Sequence, residues 1–286
     1  MQKKRVGLDP NFSLPEDTSV SVPLEKAVIS DKQISQAWDK LADKWANRFT
    51  EHGDMNRKYI IDPTLFRLMG KVKGLSILDA GCGHGYLCRL LAKKGANMVG
   101  VDLSKSFIEM ARQKEKAAPL GITYYHRSLS DLAIFQNETF DMVVSNLALM
   151  DVLDQKKAIG ELHRVLKKNG RLIFSIMHPC FSSSPVHGWV RVPKDSQRKE
   201  DWIYWKVDRY FDRSMEIWQL APGWPSTYSF HYPLSDYVKT LIQNGFTITN
   251  FEEPVPSKKA MKEHHRELGN ECDRIPWFLI IGAKKT

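Results

Sequence analysis

The chain has 286 residues, 42% of them apolar and 26% charged, which is enough to bury one sizeable core and a smaller lobe and excludes disorder for most of it. The formal net charge is +9, yet division at Gly74 and Phe181 gives 13 basic against 10 acidic residues, then 14 against 10, then 15 against 13, and an excess so evenly spread argues against a nucleic-acid footprint. Cys82, Cys88, Cys180 and Cys272 form neither a disulfide framework nor spaced metal-binding pairs, and no run of eighteen apolar residues occurs, so reduced thiols, no membrane span and a cytoplasmic location are expected.

Residues 1–30 carry Pro10, Pro15 and Pro23 without sustained periodicity and read as an arm over the surface or a partly disordered one. From Ser30 or Asp31, the spacing of Trp38, Leu41, Ala42, Trp45 and Phe49 predicts an amphipathic helix. Pro63 opens a second helix that Gly70 and Gly74 stop, so residues 31–74 form a helical cover. Strands are predicted at 75–80, 97–101, 123–127, 142–145 and 171–177. They alternate with helices at 86–94, 104–118 and 155–168, the last ended by Asn169 and Gly170. Strands and helices alternating in this way imply a Rossmann-like, doubly wound, mostly parallel α/β sheet over residues 75–181. Residues 182–232, dense in tryptophan and tyrosine, break the rhythm after the fifth strand and read as one inserted lobe. A helix at 234–244 and strands at 246–251 and 277–283 within the segment 233–286 complete a seven-stranded core sheet.

Gly81, Gly83 and Gly85 follow the first core strand and open a helix, where an open parallel sheet docks a nucleotide-type ligand. The spacing is not the Gly-x-Gly-x-x-Gly of a dinucleotide site, and Asp79 before it repels a pyrophosphate and suits a cation. Asp102, ending the next strand, is placed to accept from a ribose diol, so an adenosyl ligand with positive charge and no phosphate fits. The segments Leu78 to Gly85, Gly100 to Asp102, Phe140 to Asn146 and Arg164 to Gly170 together resemble the class I S-adenosylmethionine-dependent methyltransferases, in the small-molecule group that includes ubiquinone-type enzymes. The resemblance spans roughly residues 35–180.

That resemblance implies that Gly81 and Gly83 let the backbone approach the methionine part, with Asp79 near its ammonium and Asp102 on the ribose. Leu103 and Leu129 would sandwich the adenine. Ser128 stands where the family often has an aspartate for the adenine amino group, so Ser128 with the Leu129 amide, or Asp131, takes that role. Asn146 would lie beside the transferred methyl or the amino-acid end, and Arg57 or Tyr59 would meet the cofactor carboxylate. Met150 and Asp151 stand where relatives often carry a histidine.

Methyl transfer is an in-line displacement that mostly needs alignment and exclusion of water, with a base helping when the acceptor is a hydroxyl or protonated amine. His178, just past the fifth strand, and His231, before the helix at 234, are the candidate bases. Trp189, Trp218, Trp224 and Tyr228 are candidate linings of an acceptor pocket. The expected acceptor is a small apolar or aromatic metabolite bearing an O, N or C nucleophile, and the expected product S-adenosylhomocysteine. Methylation of tRNA or of a protein terminus, suggested by the basic stretch Lys258 to Arg266, is the alternative within the class, and a cofactor-binding protein without activity the one outside it. The glutamates Glu263, Glu267 and Glu271 interleaved with those bases read more readily as a solvated helix. No metal is expected, since His264 and His265 are adjacent without spaced thiols, and the protein is expected to be a monomer or homodimer.

Overall fold

The computed structural model describes residues 20–182, 184–196, 198, 201–219, 221–264, 268 and 274–286. In chain order it contains strand β1 (Val20–Pro23), helices α1 (Asp31–Ala46) and α2 (Asp62–Met69), β2 (Ser76–Ala80), α3 (Tyr86–Lys93), β3 (Asn97–Asp102), α4 (Lys105–Ala117), β4 (Thr123–His126) and β5 (Phe140–Asn146). Then come α5 (Gln155–Val165), β6 (Leu166–Met177), β7 (Val186–Arg191), β8 (Trp202–Asp208), β9 (Ser214–Gln219), β10 (Ser226–His231), α6 (Leu234–Gln243), β11 (Phe246–Glu252), α7 (Lys258–His264) and β12 (Phe278–Lys285).

Seven strands make the central sheet in the order β11-β12-β6-β5-β2-β3-β4. The five strands β2 to β6 run parallel, and β12 lies antiparallel between β6 and β11. Side chains alternate across it with the period of a strand: Ile77, Met142 and Ile280 face α2, α3 and α4, whereas Leu78, Val143 and Leu279 face α5 and α6. Both faces are covered, which is why these strands read as unbroken apolar runs. The chain goes from β2 outward to β4, then returns across to β5 on the other side of β2, so the strand order reverses between β2 and β5. Open α/β sheets bind ligands in the crevice above that reversal.

Helix α1 starts with a reciprocal cap: the Ser30 hydroxyl accepts from the Gln33 amide, and Gln33 Oε1 accepts from the Ser30 amide. It buries Ile34, Ala37, Leu41 and Ala42. Its polar side pins it above the sheet edge, since Ser35 Oγ donates to Leu103 O at 2.8 Å and Asp39 Oδ1 accepts from Ser104 Oγ and the Ser106 amide at 2.6 and 2.9 Å. Thus α1 is tied to the loop that follows β3.

The segment 182–232 is not one lobe. β7 and β8 pair with each other, whereas β9 and β10 form a three-stranded sheet with β1, drawn from the part of the chain expected to be an arm. β9 exposes two hydrogen-bonding edges, and β10 fills only one, so β1 takes the other. This sheet packs on α1 through Ile34, Met215 and Phe230, while Trp189, Trp202, Trp205 and Trp277 build a separate aromatic cluster. The helix expected to reach residue 168 ends at Val165: Leu166 is already extended (φ −72°, ψ 137°), and Asn169 adopts φ 65° within the strand that follows. Lys167, freed from the helix, reaches Asp141 at 2.7 Å. No described helix is long and apolar enough to cross a membrane.

Candidate active site

The carboxyl ends of β2, β3 and β5 open into a cleft roofed by α1, with a cavity of about 110 Å³ between its walls. At its floor the chain leaves β2 through a tight turn in which Gly81, Gly83 and Gly85 have φ of 84°, 52° and 83°. A Cβ on Gly81 would lie 2.2 Å from that of Ala148, so only glycine lets the loops after β2 and β5 approach each other here.

Among the charged groups of the walls, acids predominate. Asp79 is 1% exposed and pushed by burial up to about 7; its hydrogen-bond partner there is the Cys88 thiol at 3.2 Å. Asp102 accepts from the Gly83 and Ser104 amides at 2.7 and 2.8 Å, which fixes its carboxylate at the cleft edge, and burial lifts it to about 6. Asp151, in a short turn of 3₁₀ helix (Leu149–Asp151) after β5, keeps one carboxylate oxygen buried and without a partner, and burial raises its pKa well above the usual range. The guanidinium of Arg57 also lines the cleft, and its Nη1 is held by Asp54 at 2.7 Å. With Asp31 at the start of α1, four acids against one guanidinium already paired make the cleft receptive to a cationic ligand and hostile to a phosphate.

Among the residues singled out from sequence, Arg57, Asp79, Gly81, Gly83, Asp102, Leu103, Ser128, Leu129 and Asn146 all line this cleft. Tyr59 does not: its ring packs against that of His264 at 4.5 Å, on the outer side of the turn that carries Arg57 inward. Asp131 is exposed and absent from the walls, whereas Ser128 is one of them. Asn146 reaches the cleft, but its amide is engaged behind it: Nδ2 donates to Asp62 Oδ1 and to the Tyr86 hydroxyl at 3.1 and 2.6 Å, and Oδ1 accepts from Ser175.

The two histidines expected as bases lie elsewhere. His178 is 2% exposed; Nδ1 accepts from the Cys180 amide, so Nε2 donates to Glu253 at 2.9 Å, just past β11. Its backbone amide pairs with Trp277 O beside β12, which turns the ring toward β11 and away from the cleft. Burial outweighs Glu253 and lowers its pKa. His231 is buried with Nε2 on Tyr210 O. Neither lines the cleft. Trp189 belongs to the cluster under β7 and β8, with Arg274 over its ring at 4.2 Å, so it is no part of this pocket. Trp218 meets Trp38 at 6.5 Å, Trp224 lies under Lys44 of α1, and Tyr228 packs on the Ile34 cluster; these three back the roof and do not line it.

The sequence reading gives Trp38, Trp45 and Phe49 only as the stripe of an amphipathic helix and does not single out Phe107 of α4, yet the four rings form the inner roof of the cleft. It also missed Asp62, 3% exposed and raised to about 7 by burial, which accepts from Tyr86 and Asn146 behind the site, and His84, whose ring forms part of the wall. The apolar stripe of α1 was the signal for the first; nothing local marks the others.

Residues 78–174 match the family described as a methyltransferase domain. A crystal structure of an S-adenosylmethionine-dependent methyltransferase from Mesorhizobium loti is 30% identical, covers 82% of this chain and all of its own, and superposes with a TM-score of 0.66. A ubiquinone biosynthesis O-methyltransferase of Coxiella burnetii is 30% identical over 156 residues, 54% of this chain; the chain spans 65% of that enzyme, just under two thirds of its length. At the level of fold, the 1,6-didemethyltoxoflavin-N1-methyltransferase of Burkholderia thailandensis, crystallised with S-adenosylhomocysteine, is 14% identical, covers 95% of this chain and 97% of its own, and gives a TM-score of 0.59.

Proposed function

This chain belongs to the class I S-adenosylmethionine-dependent methyltransferases, and from that premise we propose that it methylates a nucleophile of a small apolar or aromatic metabolite. The observation that carries the reading is one cleft with an acid-rich floor and an inner roof of Trp38, Trp45, Phe49 and Phe107. Acids suit a ligand bearing sulfonium and ammonium charges. Rings give contact area to an apolar acceptor and exclude water from the reacting centre. The relative named for O-methylation in ubiquinone biosynthesis supports a hydroxyl as the nucleophile.

Bound S-adenosylmethionine would supply an electrophilic methyl group. Asp102, its carboxylate already oriented by two amides, keeps acceptor capacity for the ribose hydroxyls. Ser128 and the side chains of Leu103 and Leu129 hold the adenine end. Asp79, poised near neutrality without a cation, takes the ammonium, and Arg57 rather than Tyr59 meets the carboxylate. Asn146, locked by Asp62, Tyr86 and Ser175, sets the shape of the wall between cofactor and acceptor. Asp151, which lines the cleft and keeps one carboxylate oxygen without a partner, is the base: its raised pKa suits withdrawal of a hydroxyl proton as the methyl group is transferred. Incubation with S-adenosylmethionine and a panel of phenols and catechols should release S-adenosylhomocysteine with at least one of them. Release with none, despite tight cofactor binding, would contradict the reading.

A further inference from the structure

We propose that Ser35 and Asp39 of the roof helix α1 are positioning residues, which between them hold the peptide that orients the Asp102 carboxylate. This rests on the S-adenosylmethionine reading above, in which Asp102 takes the ribose, and adds two residues that stand outside the cleft wall.

Asp102 is oriented by two amides: Oδ2 accepts from Gly83 at 2.7 Å and Oδ1 from Ser104 at 2.8 Å. Gly83 belongs to the glycine turn, whereas Ser104 lies in the loop after β3, as the N-cap of α4. The Ser104 N–H shares a rigid peptide plane with the Leu103 carbonyl. That oxygen accepts from Ser35 Oγ at 2.8 Å, and the exposed His126 ring meets it at the same distance. Turning the plane away from Ser35 also turns the N–H off Asp102. The Ser104 hydroxyl is buried and fully engaged. It accepts from the Phe107 amide at 3.2 Å, so its single hydrogen goes to Asp39 Oδ1 at 2.6 Å. The same Oδ1 takes the Ser106 amide at 2.9 Å.

Ser35 and Asp39 stand one turn apart on the same face of α1, and their hydrogen bonds hold Leu103, Ser104 and Ser106 against the helix. Charge does not explain the pairing. Burial raises the Asp102 pKa, and the like charge of Asp39 raises it further, so Asp39 opposes ionisation of the very acid it supports. If its influence were electrostatic, neutralising it would strengthen the grip of Asp102 on a hydroxyl. What Asp39 contributes is a hydrogen-bonded frame: an oxygen at the right place, whether charged or not. The roof helix thereby reaches the floor, since Asp102 is oriented for the ribose only while α1 is in its seat.

Calorimetric titration with S-adenosylhomocysteine of the wild type, Ser35→Ala, Asp39→Ala and Asp39→Asn, each variant also made in an Asp102→Ala background, tests the assignment. Asp39→Ala should weaken binding by about tenfold and Ser35→Ala by about threefold. Asp39→Asn, whose amide oxygen can keep both bonds, should stay within about twofold of wild type. In the Asp102→Ala background each variant should match its parent within about twofold, because the residue acted through is gone. Should Asp39→Ala fail to fold, Ser35→Ala carries the same comparison. An equal loss in both backgrounds would mean a structural role for α1 and overturn the assignment. Unchanged affinity in both alanine variants would overturn it too, as would a loss in Asp39→Asn as large as in Asp39→Ala. A wild type that binds no S-adenosylhomocysteine would overturn the cofactor reading itself, and the positioning role with it.

Discussion

The floor and the roof of the cleft are built in opposite ways. The floor comes from a short stretch, Asp79 to Asp102, in which two adjacent parallel strands and one glycine turn bring every group into place, and Gly83 itself donates to Asp102. The roof is assembled from α1, the sheet β1-β9-β10 and the 3₁₀ turn holding Asp151, elements spread over some two hundred residues, with β1 pairing to β9 through Val20 and Ile217. A local floor holds a constant ligand, whereas a composite roof changes with the acceptor. Substitutions in the floor should therefore strike cofactor affinity, and those in the roof turnover.

The largest effect is expected at the floor. Asp102→Ala removes the carboxylate proposed for the ribose and frees the Gly83 and Ser104 amides that it holds, so affinity for S-adenosylhomocysteine should fall by about 2–3 kcal/mol, read by calorimetry. A smaller loss in Asp102→Ala than in any roof variant would erase the division.

At the roof, Asp151→Asn should lower turnover by about 100-fold while leaving affinity for S-adenosylhomocysteine within a few-fold. Because only the ionised carboxylate takes a proton, wild-type turnover should decline as pH falls through the raised Asp151 pKa, and the asparagine variant should lose that limb of the profile. Cofactor affinity falling in step with turnover would move Asp151 from the acceptor side to the cofactor side.

The smallest functional effect is expected outside the cleft. His178→Ala should leave both turnover and cofactor affinity near wild type and cost about 2 kcal/mol of stability, measured by chemical unfolding, through loss of its Glu253 and Cys180 contacts. Its pKa is lowered in the folded chain, so the native protein binds fewer protons here than the unfolded one. This stability contribution is complete above the unfolded histidine range and is lost as pH falls through about 6.5. A large drop in turnover with unchanged stability would restore His178 as a base.

The same contrast explains what could be read from the chain. The central strands were legible because both sheet faces are covered, which leaves apolar runs that no loop imitates, and Asp79 and Asp102 were legible because strand ends in this topology meet at one edge. Position at that edge does not say which way a ring turns; His178 stands there and faces β11 because β12 pairs beside it. His84 was visible between the glycines, but its tautomer depends on Lys114, thirty residues on. Asp62 and Tyr86 meet only once α2 and α3 are packed. The aromatic segment after β6 could not be divided from composition alone, because its division into two sheets depends on β1, far away in sequence.

The cation-seeking floor is tested most directly by calorimetry with S-adenosylhomocysteine at pH 6 in two buffers of different ionisation enthalpy. Asp79, with a pKa of about 7, is largely protonated there, and an arriving ammonium should expel its proton. The account predicts binding with release of roughly 0.5–1 proton, fading above pH 8 and absent in Asp79→Asn. Binding with no proton released at pH 6, or heat with a dinucleotide and none with S-adenosylhomocysteine, would contradict it.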